Sequence, residues 1–385
     1  MSTFAARIYA ELRGDRTIWA IIAVMAIFSL LAVYSSTGML AYRERGGNTE
    51  AFLLKHGLVL VVGLFLTYVA HLMHYMRYSR WAPALITIAV PLLIYTVAFG
   101  PNINEARRWI LLPFVGLTIQ TSDFAKLALI IYVARAISTK QEYIKDFNSA
   151  FLPIIVPVLL ICGLIAPSDL STAGVLFTAC LGMMFVGRVA LKYIILLIML
   201  GVVVFAMLFL MGSFFPDFIR STTWTTRIQE FLSNPDGVYQ VQQAKIAIAN
   251  GGWLGEGPGN SIQRNFLPSS YSDFIYAIIC EEYGVLGGAL LISLYTLLFF
   301  RVTRLVTKSP KAFGAMLAMG LSILIVLQAF INIAVAVHLV PVTGITLPFI
   351  SMGGTSIIFT CISLGIILSV SKYIETVSPV PVEEE

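Results

Sequence analysis

The chain has little charge for its length. Asp, Glu, Lys and Arg make up 12% of its 385 residues, while 58% are hydrophobic and the mean hydropathy is +0.88. An ordinary soluble domain carries roughly 25% charged residues, which cover its water-facing surface. The composition therefore excludes such a domain and predicts a bundle embedded in a membrane.

Cysteine is also scarce, and none stands where it could form a cross-link. All four cysteines, Cys162, Cys180, Cys280 and Cys361, lie inside apolar runs rather than in loops. Their positions argue against a disulfide framework or a cysteine metal cluster and predict packing roles. The glycine-rich stretch 251–259 lacks the Gly-Lys-Ser/Thr ending of a nucleotide-binding P-loop.

Long apolar runs are abundant. A spanning helix needs roughly 20 apolar residues, and ten runs approach or reach that length: 18–40, 52–74, 82–100, 122–138, 151–167, 172–187, 192–214, 273–300, 314–339 and 353–372. The first run is longer than the apolar part of a signal peptide, and no small-residue cleavage site follows it directly. We therefore predict an all-α integral membrane protein with about ten transmembrane helices.

The net charge of +5 is explained by loop positions, not by a nucleic-acid partner. Fifteen of the 25 Lys and Arg residues fall at the N-terminus and in alternate loops. They are Arg7, Arg13, Arg16, Arg77, Arg80, Arg135, Lys140, Lys145, Arg188, Lys192, Arg301, Arg304, Lys308, Lys311 and Lys372. Since basic residues concentrate on the cytoplasmic side, the pattern predicts that both termini are cytoplasmic.

These observations give a provisional domain plan. Residues 1–17 form a cytoplasmic N-terminus, 18–372 a single polytopic membrane domain, and 373–385 a cytoplasmic tail. The segment 215–272, between helices 7 and 8, is a long extracytoplasmic loop. Loops of this length are usually functional or disordered, and its aromatic residues favour a folded cap.

Ionisable residues inside a bilayer are costly, so each is a candidate functional residue. Arg107 and Arg108 could bind a phosphate or pyrophosphate through their forked donors, or could lie at the interface beside Trp109. Asp123 and Lys126 are three residues apart on a helix and can meet. They form either a structural ion pair or a pair that positions a catalytic carboxylate.

Two further clusters lie near the last helices. Asp273 opens a strongly apolar run, where it could act chemically or only stabilise the helix dipole. Gln328, Asn332 and His338 precede a Gly- and Pro-rich segment, 341–356. Irregular backbone at membrane depth is tolerated only where it is buried in protein or lines a cavity, so this segment is predicted to form a cavity wall.

The order of these motifs resembles one family over nearly the whole chain. The matching motifs are Ala106-Arg107-Arg108-Trp109, Ser122-Asp123-Phe124-Ala125-Lys126-Leu127, Tyr239-Gln240, Ala249 to Gly255, Ser272-Asp273-Phe274-Ile275, Glu281-Glu282-Tyr283-Gly284, Pro341 to Gly344 and Leu347 to Ser351. Together they resemble the SEDS family (shape, elongation, division and sporulation) of peptidoglycan glycosyltransferases. Val33-Tyr34-Ser35-Ser36 favours the cell-division branch over the elongation branch.

The chain departs from the family pattern at a few positions. The family usually has Glu where Asp123 stands and Pro where Thr121 stands. It also usually has a Pro-Glu-Ala-His-Thr-like lead into the key aspartate, where this chain has Pro268-Ser269-Ser270-Tyr271-Ser272. The positions where the family has this Glu and His are therefore not expected to carry essential chemistry in this chain.

The resemblance implies polymerisation of lipid II with release of undecaprenyl pyrophosphate and inversion at the anomeric carbon. It assigns the essential aspartate to Asp273, for which the role of general base fits, with Asp123 and Lys126 as supporting catalytic residues. A nearby Lys126 is expected to favour the ionised form of Asp273. The expected substrate-binding residues are Arg107, Arg108, Trp109, Gln120, Arg227, Arg264 and Ser351, with Arg220 a further candidate for the pyrophosphate.

Other functions remain open at this stage. A lipid II flippase would also have broken helices and intramembrane charges, although it needs polar groups along the whole path. A scaffold role is compatible with catalysis, since the family works with a class B penicillin-binding transpeptidase and with other division proteins. No metal or cofactor is required by the sequence, and a divalent cation stays open. The expected location is the bacterial cytoplasmic (inner) membrane.

Overall fold

The computed structural model describes residues 13–46, 48–102, 107–111, 118–214, 221–234 and 237–377. Predictions about the first twelve residues, Ala106, Arg220 and the tail from 378 onwards therefore lie outside the described residues. Thirteen α-helices account for most of this part of the chain. They are α1 (Arg16–Ser36), α2 (Gly38–Arg45), α3 (Thr49–Leu72), α4 (Met76–Phe99), α5 (Thr121–Thr139), α6 (Leu152–Ile165), α7 (Leu170–Val186), α8 (Leu191–Phe214), α9 (Ser221–Ser233), α10 (Tyr239–Gly251), α11 (Ile275–Lys308), α12 (Ala312–Ala336) and α13 (Thr355–Val377).

Ten of these helices correspond to the ten predicted runs. Eight are long and apolar enough to cross a membrane, with α6 counted together with the π-helical turn Phe147–Phe151 that precedes it, and α7 is a shorter apolar helix of 17 residues. The tenth, α5, contains Asp123, Lys126 and Arg135. It tolerates these charges because it packs against α4, α6 and α12, and 14 of its 19 residues are buried away from lipid.

Strand structure in the described residues is limited to one small hairpin. Strands β1 (Trp109–Leu111) and β2 (Thr118–Gln120) pair antiparallel, with Trp109 opposite Gln120 and Leu111 opposite Thr118. The hairpin leads directly into α5, so it joins the Arg107-Arg108 pair to the helix that holds Asp123 and Lys126.

Helix α11 is broken at Gly284. At 34 residues a continuous helix would be about 51 Å long, whereas the hydrocarbon core of a bilayer is roughly 30 Å thick. Gly284 has φ 67° and ψ −170°, a conformation that glycine adopts without steric cost. The break separates the segment that follows Asp273 from the longer apolar part of the helix.

A glycine strap, residues 251–257, packs against this break. The amides of Glu256 and Val285 donate to the carbonyls of Glu281 and Gly252 across the two segments, both at 2.9 Å. A Cβ atom on Gly284 would lie 2.3 Å from the carbonyl oxygen of Trp253, so a side chain cannot fit there. The strap supplies hydrogen-bond partners to backbone that the broken helix leaves unpaired.

The predicted loop 215–272 is folded wherever it is described. It contains α9, α10, the glycine strap and a short 3-10 turn, Gln263–Asn265. Helix α10 packs against α11 and α12 and buries Val241, Ala244 and Ala247 completely. The segment thus forms a structured cap over the end of the bundle where α11 begins, called here the Asp273 end.

The opposite end of the bundle is tied together by Asp15. Its carboxylate accepts hydrogen bonds from the amides of Thr17 and Ile18, which caps α1. The same carboxylate pairs with Arg301 near the end of α11, and the amide of Asp15 donates to Ser371 Oγ at 2.6 Å. These contacts join α1, α11 and α13 far from Asp273.

Candidate active site

Asp273 lies in the turn that precedes α11, at the edge of the apolar bundle. Its Oδ1 accepts a hydrogen bond of 2.9 Å from Ser272 Oγ, and the side chain is only partly buried. Gly344 passes close by with φ +72°, and a Cβ there would lie 3.8 Å from Asp273 Oδ2. The backbone thus approaches this carboxylate where a bulkier residue would be strained.

The backbone around Asp273 is held from two sides. Asn332 Nδ2, on the buried face of α12, donates to the carbonyls of Asp273 and Ile345 at 2.7 and 2.8 Å. Ser351 Oγ donates to the carbonyl of Ser272 at 2.6 Å and accepts from the amide of Leu347 at 2.8 Å. The Gly- and Pro-rich segment predicted as a cavity wall therefore forms a cradle for residues 272–273.

Two arginines provide the positive charge near Asp273. Burial raises the pKa of the Asp273 carboxyl, while the hydroxyl of Ser272 and the charges of Arg227 and Arg108 lower it, with a net upward shift. Burial and the neighbouring Arg108 lower the pKa of the Arg227 guanidinium, and the charge of Asp273 opposes that shift. An arginine nevertheless stays protonated in a protein, so two fixed positive charges act on the Asp273 carboxyl.

Asp169 is a member of this charge group that the sequence analysis did not single out. Its Oδ2 pairs with Arg108 Nη1 at 2.8 Å, and its Oδ1 accepts from the amide of Thr172 at 3.1 Å as the N-cap of α7. The signal in the sequence was an aspartate directly before an apolar run, which is a typical N-cap. Because Arg108 and Asp169 are distant in the chain, spacing gave no sign that they pair.

Asp123 and Lys126 form an ion pair of their own. The distance from Lys126 Nζ to Asp123 Oδ1 is 2.7 Å, and the two side chains are 11% and 3% exposed. They border a small cavity lined also by Gln328, Ser356 and Thr360. The place beside Asp273 that the sequence suggested for Lys126 is taken by Arg227 and Arg108.

The remaining predicted site residues are spread over the Asp273 end. Arg107 is exposed and donates to the carbonyl of Ala98 at 3.3 Å. Trp109 is half-buried in β1, and Gln120 ends β2, where its amide N–H donates to Thr355 Oγ1 at 3.2 Å. These three lie along the hairpin next to Arg108.

Arg264 is engaged within the protein. Its Nη1 donates to the carbonyl and hydroxyl oxygens of Ser35 at 3.2 and 3.3 Å. The hydroxyl of Ser35 in turn donates to Glu282 next to the break in α11. The neighbouring Glu281 accepts from the amides of Ile262 and Gln263, each at 3.2 Å. The adjacent glutamates thus fix the end of the cap to α11.

The described residues offer no ready metal centre. Within the ranges that the structure covers, no group of three or more His, Cys, Asp or Glu side chains is placed to hold an ion. The charged groups gathered at the Asp273 end are the carboxyls of Asp273 and Asp169 and the guanidinium groups of Arg108 and Arg227, beside a cavity lined by polar side chains.

Comparison with known proteins identifies the family. A family model described as a cell cycle protein, FtsW/RodA/SpoVE, matches residues 15–376. The chain belongs to this family. The match spans every helix named above apart from the final residue of α13, and confirms both the resemblance drawn from the motifs and the all-α, multi-pass membrane architecture.

Individual relatives agree with this assignment. The chain is 31% identical over 366 residues to a probable peptidoglycan glycosyltransferase FtsW of Trichlorobacter lovleyi, covering 93% of each chain. It is 32% identical over 358 residues to the stage V sporulation protein E of Bacillus subtilis, covering 91% of this chain and 94% of that protein.

A solved structure shares the fold. A chain of a peptidoglycan synthase complex, described as coordinating polymerization and crosslinking, superposes with a TM-score of 0.71 over 94% of this chain and 98% of that chain, at 23% identity. At that identity the likeness concerns the fold alone.

Proposed function

We propose that this membrane-embedded peptidoglycan glycosyltransferase polymerises lipid II and that Asp273 is its general base. The observation that carries the proposal is the grouping of Asp273 with Arg227 and Arg108 at one end of an apolar bundle. A carboxylate that accepts a proton and cations that stabilise a leaving anion are the two parts that this transfer needs.

The proposed step balances as follows. The hydroxyl of an acceptor sugar loses its proton to the Asp273 carboxylate while its oxygen bonds to the anomeric carbon of the lipid-linked donor. The bond from that carbon to the pyrophosphate oxygen breaks, and undecaprenyl pyrophosphate leaves with the electron pair. Attack on the face opposite the leaving group inverts the anomeric carbon.

Arg227 and Arg108 are the residues that we assign to the leaving pyrophosphate. Guanidinium groups bind such oxygens in a forked geometry, and both charges act on Asp273. Arg107, Trp109 and Gln120 extend this surface along the hairpin, so they are proposed as further substrate contacts. Asp123 and Lys126 are proposed to support the catalytic carboxylate; they pair with one another near the start of α5, the helix that follows the hairpin.

The cellular setting follows from charge and family. The excess of Lys and Arg in alternate loops supports cytoplasmic termini in the cytoplasmic membrane. With that orientation the Asp273 end faces outward, where lipid II sugars are exposed. A class B penicillin-binding transpeptidase is the proposed partner. We favour a role in cell division, although relatives named for division and for sporulation are similarly identical to this chain.

The test is a polymerisation assay with purified protein and lipid II in detergent, where there is no membrane to cross. Asp273→Asn should lose polymer by roughly 10²- to 10⁴-fold, since one positioned base contributes about that much. It should insert and melt like the wild type. Asp146→Asn is a matched control. Asp146 is exposed and caps a helical turn by accepting a hydrogen bond from the amide of Ser149, and the side-chain oxygen of Asn can accept the same bond.

Near-normal polymer from Asp273→Asn would remove that residue from the mechanism. The flippase alternative would be supported if the protein moved lipid II across a membrane but formed no polymer in detergent, with or without a cognate transpeptidase.

A further inference from the structure

A polar recess at the Asp273 end has walls that, apart from Arg227, take no part in the step described above. A cavity of about 390 Å³ lies between α9, the start of α10 and the segment that follows α12. This volume falls in the range of small-molecule sites. Its walls include Arg227, Glu230, Phe231, Tyr239, Gln240 and His338; we call it the outer pocket.

The outer pocket shares a residue with the proposed reaction centre. Arg227 lines the pocket and also interacts electrostatically with Asp273. The opposite walls are linked to the same turn, because Val342 of the pocket packs on the hydrophobic cluster that contains Phe274. A molecule held in the pocket therefore lies beside the groups that carry out the transfer.

His338 occupies its position at a conformational cost. Helix α12 ends in a Schellman turn, in which the amides of His338 and Leu339 donate to the carbonyls of Val335 and Ala334 at 3.0 and 2.8 Å. His338 has φ 60°, in the left-handed region where such turns usually carry glycine. Non-glycine residues in that region concentrate at functional sites, so the imidazole of His338 is a candidate functional group.

The imidazole helps to build an aromatic corner. Its ring meets that of Phe231 edge-to-face, with centroids 5.1 Å apart and an angle of 77°, an arrangement that aromatic pairs favour. Tyr239 contributes a third ring and is 53% exposed at the rim. Aromatic faces of this kind pack against the C–H faces of sugar rings.

The polar groups of the outer pocket suit a neutral ligand better than an anion. Gln240 and Glu230 can accept hydrogen bonds from hydroxyl groups, and Gln240 and Arg227 can donate to hydroxyl or acetamido oxygens. The carboxylate of Glu230 would repel a phosphate, so the pocket does not match the pyrophosphate of the donor. Aromatic walls with mixed donors and acceptors are the pattern expected for a saccharide.

We propose that the outer pocket is a saccharide subsite that holds an N-acetylated sugar of the glycan while the next sugar reacts at Asp273. This deepens the proposed function and rests on it. The imidazole of His338 serves as a wall of the subsite, which explains a histidine at a position that favours glycine.

The experiment measures binding of tetra-N-acetylchitotetraose to the purified full chain in detergent, by saturation-transfer NMR. The wild type should bind, and His338→Gly and Gln240→Ala should weaken binding at least fivefold. Because glycine suits the left-handed position, His338→Gly should melt at the same or a higher temperature, so misfolding cannot explain a loss. Strands made from lipid II by these variants should be shorter than those of the wild type.

Arg188→Gly is the matched control. Arg188 has φ 63° in the same kind of turn at the end of α7, where Val189 donates to the carbonyl of Met184 at 3.0 Å. It relieves the same strain far from the outer pocket and should leave sugar binding unchanged. Equal sugar binding by wild type and His338→Gly would overturn the proposal, as would His338-dependent binding of a free stem pentapeptide or of inorganic pyrophosphate in place of the sugar.

Asp273→Asn separates this inference from the catalytic one. If the variant makes no polymer yet binds the oligosaccharide like the wild type, both proposals hold. If it polymerises normally while His338→Gly loses sugar binding, the base assignment fails and the subsite stands. If it makes no polymer and neither it nor the wild type binds the sugar, the subsite alone fails.

Discussion

Two aspartates at the same end of the molecule differ in their surroundings. Asp123 is 3% exposed and pairs directly with Lys126 at 2.7 Å. Asp273 is partly buried, accepts a hydrogen bond from Ser272, and experiences Arg227 and Arg108 through space. The first charge is neutralised by its own helix, whereas the second is balanced by other segments of the fold.

The difference bears on which of the two carboxylates is the better candidate for a general base. A carboxylate that is already bound to an ammonium group must break that pair before it accepts a proton, which makes it a poor base. The Oδ2 atom of Asp273 faces Gly344, which has no side chain, and the pKa of the Asp273 carboxyl is raised. A raised pKa makes a carboxylate a stronger base, provided that it remains ionised at the working pH.

Breaking the buried pair should give the largest effect on stability. Lys126→Ala would leave the Asp123 charge without its partner inside the bundle, which typically costs about 3–5 kcal/mol. We expect a marked fall in melting temperature and, with it, a loss of polymerase activity.

The double variant Asp123→Asn/Lys126→Gln sharpens the test. It removes both charges, so stability should return, together with at least a tenth of wild-type activity (measured per folded molecule). If the double variant regained stability but its activity stayed more than a hundredfold below that of the wild type, the pair would be shown to take part directly in catalysis.

The cradle of Asp273 should show a smaller, more selective effect. Ser351→Ala and Asn332→Ala each remove hydrogen bonds to the backbone of residues 272–273, at a cost of about 1–3 kcal/mol in stability. Because the base is then less well positioned, kcat should fall roughly tenfold or more while KM for lipid II changes little.

Ser369→Ala is the control for this prediction. Ser369 is buried and donates to the carbonyl of Met73, remote from Asp273. It should lose similar stability and keep its kcat. A cradle variant that behaves in the same way as Ser369→Ala would show that these hydrogen bonds serve stability alone.

The pH dependence should show the smallest effect. A general base must be ionised, so activity should fall as the pH drops through the pKa of Asp273, above the usual aspartate value of about 3.9. Arg227→Gln removes a cation that lowers this pKa and should shift the acidic limb to higher pH. Asp169→Asn removes an anion that raises it and should shift the limb to lower pH.

Both shifts can be read from kcat against pH with saturating lipid II. The test is that the acidic limbs of the two variants move in opposite directions. General damage to the site would lower the rate of both variants without moving their acidic limbs apart. Shifts in the same direction for both variants would show that Asp273 is not the group that titrates.

The sequence was informative wherever the signal was local. Each of the ten apolar runs predicted a helix of the described chain, and eight of these helices are long and apolar enough to span a membrane, because spanning length and composition constrain each run separately. The three-residue spacing of Asp123 and Lys126 predicted their contact, since helix geometry brings such positions together. The role of Asp273 came from the family motif and remains to be tested.

Pairings between distant segments were not accessible in this way. The sequence led us to expect Lys126 beside Asp273. In the fold, the cations that act on Asp273 are Arg227, from the cap, and Arg108, next to the hairpin. Asp169 escaped notice for the same reason. The glycine-rich stretch 251–259 could be recognised in the sequence as lacking a P-loop ending, yet the sequence did not reveal that its partner is the break in α11.

The break in α11 makes the cap and this helix one hydrogen-bonded unit. The amides and carbonyls of residues 252–257 complete the ladder that Gly284 interrupts, so neither segment satisfies its backbone without the other. Exchanging the cap between distant relatives without exchanging residues 281–286 would strand polar backbone inside the bundle. Grafts that carry both segments together should fold where grafts of either one do not.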